Sequence, residues 1–234
     1  MVAENIKNIK ENAAKACFRI GRDPQSVEII AVSKTVGVNK IYEALAAGVV
    51  DFGENYVQEL VEKRNSFLQD LIRWHFIGHL QTNKVKYIAD WIYLIHSVDS
   101  VSLAEEIHKR AEKANRVIDV LVEVNTSEEA TKYGVKPASA MELVKKIGTF
   151  SNINLKGLMT IGPFTEVRNE SRAAFKLLKN IFDKVNVEGF LQHPMTVLSM
   201  GMTHDYDTAI EEGSTMIRIG TAIFGSRKQQ KEAV

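Results

Sequence analysis

The stretch VEIIAVSKTVGVNKIYEALAAGVVDFGEN (27–55) holds one strand–helix–strand unit, and its beat decides the fold. Val27–Ser33 is apolar without strict alternation, as expected of a strand buried on both faces of a parallel sheet. Val38–Ala47 follows with helical periodicity, and Val50–Gly53 is a second short apolar strand. The same beat continues to the end of the chain. Strands are expected at His75–Gly78, Ile92–Ser97, Val117–Asn125, Asn154–Ile161, Thr196–Met200 and Thr215–Ile219. Helices are expected between them at Tyr56–Phe67, Asn83–Ala89, Val101–Asn115, Pro137–Ile147, Val167–Val185 and Asp205–Glu212.

Eight β/α repeats within 234 residues match a (β/α)₈ barrel, a fold of about 250 residues. The competing architecture is an open doubly wound sheet, but no Gly-x-Gly-x-x-Gly follows the first strand. With no linker rich in Pro, Gly or Ser, residues 1–234 read as a single α/β barrel domain. An extra helix precedes it, where Ile6, Ile9, Ala13, Cys17 and Ile20 form one stripe and Gly21 can end the run. Ser102 and Glu105 have capping-box spacing, and Pro137 suits a first helical turn. The 167–185 stretch places Ala174, Leu177, Leu178, Ile181, Phe182 and Val185 on its apolar side.

Composition narrows the function. Thirty Lys and Arg against 29 Asp and Glu leave a net charge of +1, which argues against nucleic acid or an anionic membrane as main partner. One cysteine excludes an internal disulfide and a four-cysteine zinc site. No signal peptide or membrane span is visible, so a cytoplasmic location is expected.

Barrel chemistry sits at the C-terminal ends of the strands. Lys34 follows the first strand directly; it reads either as a partly desolvated amine able to attack a carbonyl or as a lysine reaching for water. Glu54 and Asn55 end the second strand, and Gly78, His79, Gln81 and Asn83 follow the third. His75 and His79 flank an extended segment with no helical Glu partner, so no metal site is expected from them. His96, His108 and His193 read as structural or surface histidines, and Lys132 and Tyr133 lie in a polar loop near the mouth. Seven of the 14 glycines fall between Gly157 and Gly225. Loops after the seventh and eighth strands of such barrels commonly cradle phosphate. Here they carry Ser199 and Gly201, then Gly220 and Thr221. Arg218, between Ile217 and Ile219, points opposite to both and needs an acceptor, either a carboxylate or a ligand nitrogen. A carbonyl compound with a phosphate handle fits this set, and pyridoxal 5′-phosphate adds a ring nitrogen for the arginine.

The segments AVSKT (31–35), DFGENYVQEL (51–60), WHFIGHLQTNKVK (74–86), TKYG (131–134), GLMTI (157–161), LSMGMTHDY (198–206) and GSTMIRIGTAIFG (213–225) resemble the pyridoxal phosphate homeostasis protein family. Its members are single-domain relatives of the alanine racemase barrel (fold type III of pyridoxal phosphate proteins, without the C-terminal β-domain). The resemblance implies that Lys34 is the Schiff-base lysine and that Arg218 faces the pyridine nitrogen. It implies that Ser199, Gly201, Gly220 and Thr221 hold the phosphate with Met200 beside them, and that Asn55 and Met159 line the ring pocket. Lys132 matches a lysine near the site entrance, and His79, Tyr133 and His204 are accessory candidates. Many bacterial members carry a further lysine two residues after the first, often followed by Pro; here Val36 and Gly37 stand there.

Three functions compete. One is a cytoplasmic, monomeric protein that binds and supplies the cofactor without turnover, with cofactor-dependent apo-enzymes as partners. The second is a racemase of small amino acids, and the third a Schiff-base aldolase acting on a phosphorylated substrate. The last residues, 226–234, read as a solvated tail.

Overall fold

The computed structural model describes residues 1–68, 71–127, 129, 132–163, 165 and 167–226. Its eight strands are β1 (Glu28–Val32), β2 (Asp51–Glu54), β3 (Arg73–Phe76), β4 (Leu94–Val98), β5 (Ile118–Glu123), β6 (Ile153–Met159), β7 (Val197–Ser199) and β8 (Met216–Ile219). They close into a parallel barrel in sequence order, and β8 returns to pair with β1. All eight expected strands are present, so the closed barrel replaces the open sheet as the architecture.

Side-chain parity follows the two-residue period of a strand. Ile30, Leu94, Leu121, Met159 and Met216 form the apolar cluster inside the barrel. Ala31, Phe52, Phe76, Ile95, Val120, Val122, Leu158, Ile217 and Ile219 belong to the larger core between barrel and helices. Burying such side chains contributes roughly 1.5–3 kcal/mol each. Since Ile217 and Ile219 face outward and Met216 inward, Arg218 is forced into the barrel, as the alternation predicts.

The helices are α1 (Val2–Arg19), α2 (Val38–Ala46), α3 (Val57–Asn65), α4 (Val101–Lys113), α5 (Pro137–Ile147), α6 (Arg168–Glu188), α7 (Tyr206–Glu211) and α8 (Thr221–Phe224). Helix α1 buries Ile6, Ile9, Ala13 and Cys17 as expected and packs on α7 and α8. Ile20 leaves the stripe: it is the exposed C-cap, and Gly21 follows at φ 67°. Helix α6 buries Phe175 as well as Ala174, Leu178 and Val185.

Two local expectations are corrected. The segment after β3 is a 3₁₀ helix over Thr82–Tyr87, not an α-helix over 83–89. Helix α4 is capped by Ser100, whose Oγ accepts the Leu103 N–H at 3.4 Å; Ser102, part of the expected capping box, already lies inside the helix. Among the described residues no helix is long and apolar enough to cross a membrane. Of the expected tail, all but Ser226 lies outside the described residues.

Candidate functional site

Lys34 is half-buried and opens the turn that follows β1. The next residue, Thr35, adopts φ 63°, a left-handed backbone costly for a β-branched residue unless its surroundings hold it. They do. The Thr35 N–H donates to Glu59 Oε1 at 2.6 Å, and Ser33 Oγ donates to Glu54 Oε1 at 2.6 Å. Beneath the turn Lys63, 6% exposed, donates to the Ser33 carbonyl (2.5 Å), Glu54 Oε1 (2.7 Å) and Glu59 Oε1 (2.6 Å). Glu54 therefore serves the turn from behind. Burial raises its pKa, and the Lys63 charge and hydrogen bonds oppose that rise. Val36, two residues beyond Lys34, is buried at 3% exposure.

The β1–β8 pairing sets Ala31 against Ile219. Neighbouring strands lie about 4.8 Å apart, so the Lys34 turn and the Gly220–Thr221 loop leave the barrel side by side. A Cβ built on Gly220 would sit 3.5 Å from Val32 Cβ, in direct contact with β1. Thr221 is exposed at the start of α8, and its Oγ1 lies 3.4 Å from Thr203 Oγ1. Gly201 has φ 93°, and a Cβ there would come within 2.5 Å of Ala209 Cβ, so only glycine fits that turn. The two loops thus adjoin along one edge that carries two hydroxyls.

Ser199 and Met200, expected with the phosphate set, lie buried beneath this edge. Ser199 is fully buried; its Oγ accepts an N–H from Arg218 at 2.5 Å and lies 2.9 Å from His96 Nδ1. As the last residue of β7 it is turned into the barrel, where Arg218 and His96 engage its hydroxyl. Met200 is buried in the outer core. Thr203, half-buried, is the edge hydroxyl that the sequence reading missed, although the MGMTHD loop displays it.

Arg218, 4% exposed, also donates to the Thr160 carbonyl at 2.8 Å. A guanidinium carries five N–H donors, and these two bonds use two of them. Burial pulls its pKa down to about 10, against the opposing charges of Glu123 and Asp205, so it stays protonated at neutral pH. Met159 is fully buried in the inner cluster, paired with Glu123 and Ser199 on either side. Asn55 Oδ1 is a buried acceptor with no partner among the described residues. Gly78 permits its position, since a Cβ there would fall 2.4 Å from the Asn55 carbonyl oxygen. An orphaned acceptor, a donor-only arginine with further N–H groups and a hydroxyl-lined edge beside a lysine suit a phosphorylated aromatic carbonyl compound.

Across the mouth, Tyr133 stacks on His79 with ring centroids 3.9 Å apart and an 11° interplanar angle. Lys132 Nζ donates to the Gly162 carbonyl at 2.9 Å, tying the loop after β5 to the loop after β6. These three accessory candidates meet at the rim, whereas His204 is exposed on the loop before α7.

Comparison with known proteins identifies the family of the barrel. Residues 5–228 match the family model described as alanine racemase, N-terminal domain. The pyridoxal phosphate homeostasis protein of Aquifex aeolicus is 45% identical over 226 residues, covering 96% of this chain and 98% of that protein. The chain belongs to the pyridoxal phosphate homeostasis protein family. A solved family structure, PipY of Synechococcus elongatus with PLP bound, superposes with a TM-score of 0.83 at 32% identity, covering 96% of this chain and all of that one. Alanine racemase of Corynebacterium glutamicum shares the fold alone, with a TM-score of 0.74 at 16% identity; the chain spans 61% of its length.

Within this family barrel, Glu123 was not singled out by sequence. It ends β5 at 4% exposure, and burial, reinforced by the like charge of Asp99, raises its pKa to about 7 despite Arg218. A raised carboxyl favours the fold below its unfolded value near 4.5, and that contribution disappears as pH climbs through 7. The span of about 2.5 pH units corresponds to roughly 3 kcal/mol. Glu123→Gln should therefore flatten the stability profile between pH 5 and 8 and be the more stable form at pH 8. Urea melts across that range check it; parallel curves for the two proteins would refute the assignment.

Proposed function

We propose that the chain holds pyridoxal 5′-phosphate at the C-terminal mouth of its barrel and serves pyridoxal phosphate homeostasis as a carrier. The observation that supports this best is the β1–β8 pairing, which sets the Lys34 turn beside the Gly220–Thr221 loop with Arg218 pointing inward below both. When bound, the cofactor supplies an aldehyde able to link covalently to an amine, a phosphate handle and an aromatic ring nitrogen. Lys34 supplies the amine. Thr221 and Thr203, with the backbone of Gly201 and Gly220, hold the phosphate, and Ser199 acts through Arg218 from beneath. Arg218 presents N–H donors to the ring nitrogen, Asn55 contributes its orphaned acceptor, and Met159 floors the pocket. Lys132, with the Tyr133–His79 stack, forms the entrance.

On this reading residues 1–234 form one cofactor-binding domain, working as a cytoplasmic monomer that delivers cofactor to apo-enzymes. The racemase alternative needs Cα–H abstraction, which a protonated pyridine ring favours; Arg218, always a donor, opposes that protonation. Solvent deuterium exchange at Cα of L-alanine separates the two, since repeated turnover per site belongs to the racemase alone.

The cradle has its own test. Thr221→Ala and Thr203→Ala each remove a hydrogen bond to a charged group, about 1.5–3 kcal/mol, or roughly tenfold or more in Kd. Titration followed by absorbance should show that loss for pyridoxal 5′-phosphate and almost none for pyridoxal. Equal losses for both compounds would place the phosphate elsewhere.

A further inference from the structure

A continuous chain of buried polar side chains crosses the inside of the barrel. Arg218 donates to Ser199 Oγ at 2.5 Å, and Ser199 Oγ lies 2.9 Å from His96 Nδ1. His96 Nε2 lies 2.9 Å from His75 Nδ1, and His75 Nε2 lies 3.0 Å from Asp51 Oδ1. Ser199, His96 and His75 have no exposed surface, and Asp51 is 6% exposed. The chain starts at the first residue of β2 and runs through β3, β4 and β7 to β8. Its outer end is anchored a second time, by Arg73 on Asp51 Oδ2 at 2.5 Å.

The two ends of the chain set its direction. A guanidinium only donates, so the Ser199 oxygen accepts from Arg218. The Asp51 carboxylate only accepts, so His75 carries a proton on Nε2 and donates to it. With His75 Nδ1 accepting, His96 carries its proton on Nε2, and its Nδ1 accepts the Ser199 hydroxyl proton. In that arrangement every link is satisfied. Two charges agree with this order. Burial and the neighbouring His75 and Arg218 hold His96 far below the usual histidine range. Burial would raise the pKa of Asp51, but hydrogen bonds from His75 and Arg73 outweigh it and keep the carboxylate ionised.

We propose that Asp51, His75, His96 and Ser199 are positioning residues for Arg218, fixing its guanidinium edge and hence the donor it presents to a ring nitrogen bound above it. This inference rests on the cofactor reading and goes beyond it, since none of the first three residues is placed at the cofactor. The carboxylates Glu123 and Asp205 also face Arg218 and compensate its charge. They do not replace the chain, which alone accounts for the Ser199 hydroxyl. In a barrel interior of low dielectric such a series is polarised end to end, so a break at one link is felt at the other end.

The first test uses cofactor-free protein. Histidine ¹⁵N spectra at neutral pH should show His96 neutral, with its proton on Nε2 and its Nδ1 accepting. A protonated His96, or one with its proton on Nδ1, overturns the proposal. The second test compares His96→Leu with His96→Gln, whose side-chain oxygen can accept from Ser199 while its amide donates to His75. His96→Leu should weaken pyridoxal 5′-phosphate binding by roughly tenfold and shift the pH profile of the bound cofactor's visible band; His96→Gln should restore both. A loss of melting temperature in His96→Leu with affinity and band unchanged would mean a purely structural role and overturn the proposal. If His96→Leu does not fold, His96→Gln and the tautomer measurement still decide. A wild type that fails to bind the cofactor sinks the underlying reading instead, a result distinct from wild type and His96→Leu binding equally well.

Discussion

Lys34→Ala protein should be colourless when mixed with pyridoxal 5′-phosphate, while wild type turns yellow. No other substitution at the site should cost as much binding, because the amine supplies the covalent hold and the remaining groups supply only hydrogen bonds. The phosphate edge at Thr203 and Thr221 survives the substitution, so weak, reversible binding of the cofactor should persist without the absorption band of the linked form. The fold should survive as well: Lys34 lies in a turn whose geometry is fixed by Ser33, Thr35 and the groups beneath them. Absorbance titration with a parallel thermal melt checks both statements. A full yellow band in Lys34→Ala would move the attachment to another lysine, and Lys132 at the entrance is the first candidate.

Lys63→Met should produce the largest loss of stability. The ammonium is almost fully buried and faces two carboxylates, Glu54 at no exposure and Glu59. Removing one partner of such a group strands a buried charge, which costs about 3–5 kcal/mol. Glu54 already leans towards its protonated form because it is buried. Without Lys63 it must take up a proton to stay inside, so the deficit should shrink as pH falls towards 5 and grow above neutrality. The Ser33 carbonyl also loses its donor, which releases the strained Thr35 turn and with it the placement of Lys34. Cofactor affinity should therefore fall together with stability. Chemical denaturation at pH 5 and 8 measures the first effect; a pH-independent change below about 1 kcal/mol would contradict the buried-charge argument.

What the sequence revealed and what it hid follow from the range of the interactions. Period-two alternation around Ile217 and Ile219 is local, so it locates Arg218 inside the barrel from the sequence alone. Apolar strand runs and helical stripes are local too, and they place all eight strands. The cap of α4 moves from Ser102 to Ser100 because both serines precede the same apolar stripe, and only backbone geometry chooses between them. His96 looks companionless in sequence because its partners, His75 and Ser199, are 21 and 103 residues away. A signal is there: His75 in RWHF and His96 in LIHSV are polar residues inside buried strands, and polar groups buried there need partners. Lys63 gives no such sign. On sequence it is one of several charges on an amphipathic helix, and only the path of β2 beneath the Lys34 turn turns it inward. Ser199 reads as a strand-end hydroxyl in sequence, and only its long-range partners Arg218 and His96 reveal that it is engaged inside the barrel.

The central claim is that the lysine at the end of β1 carries the cofactor. Borohydride reduction of the wild-type protein loaded with pyridoxal 5′-phosphate, followed by proteolysis and mass mapping, tests it most directly. The expected result is one pyridoxyl-phosphate adduct per chain on the peptide containing Lys34; an adduct confined to Lys132, or to any lysine away from the β1–β8 edge, would contradict it.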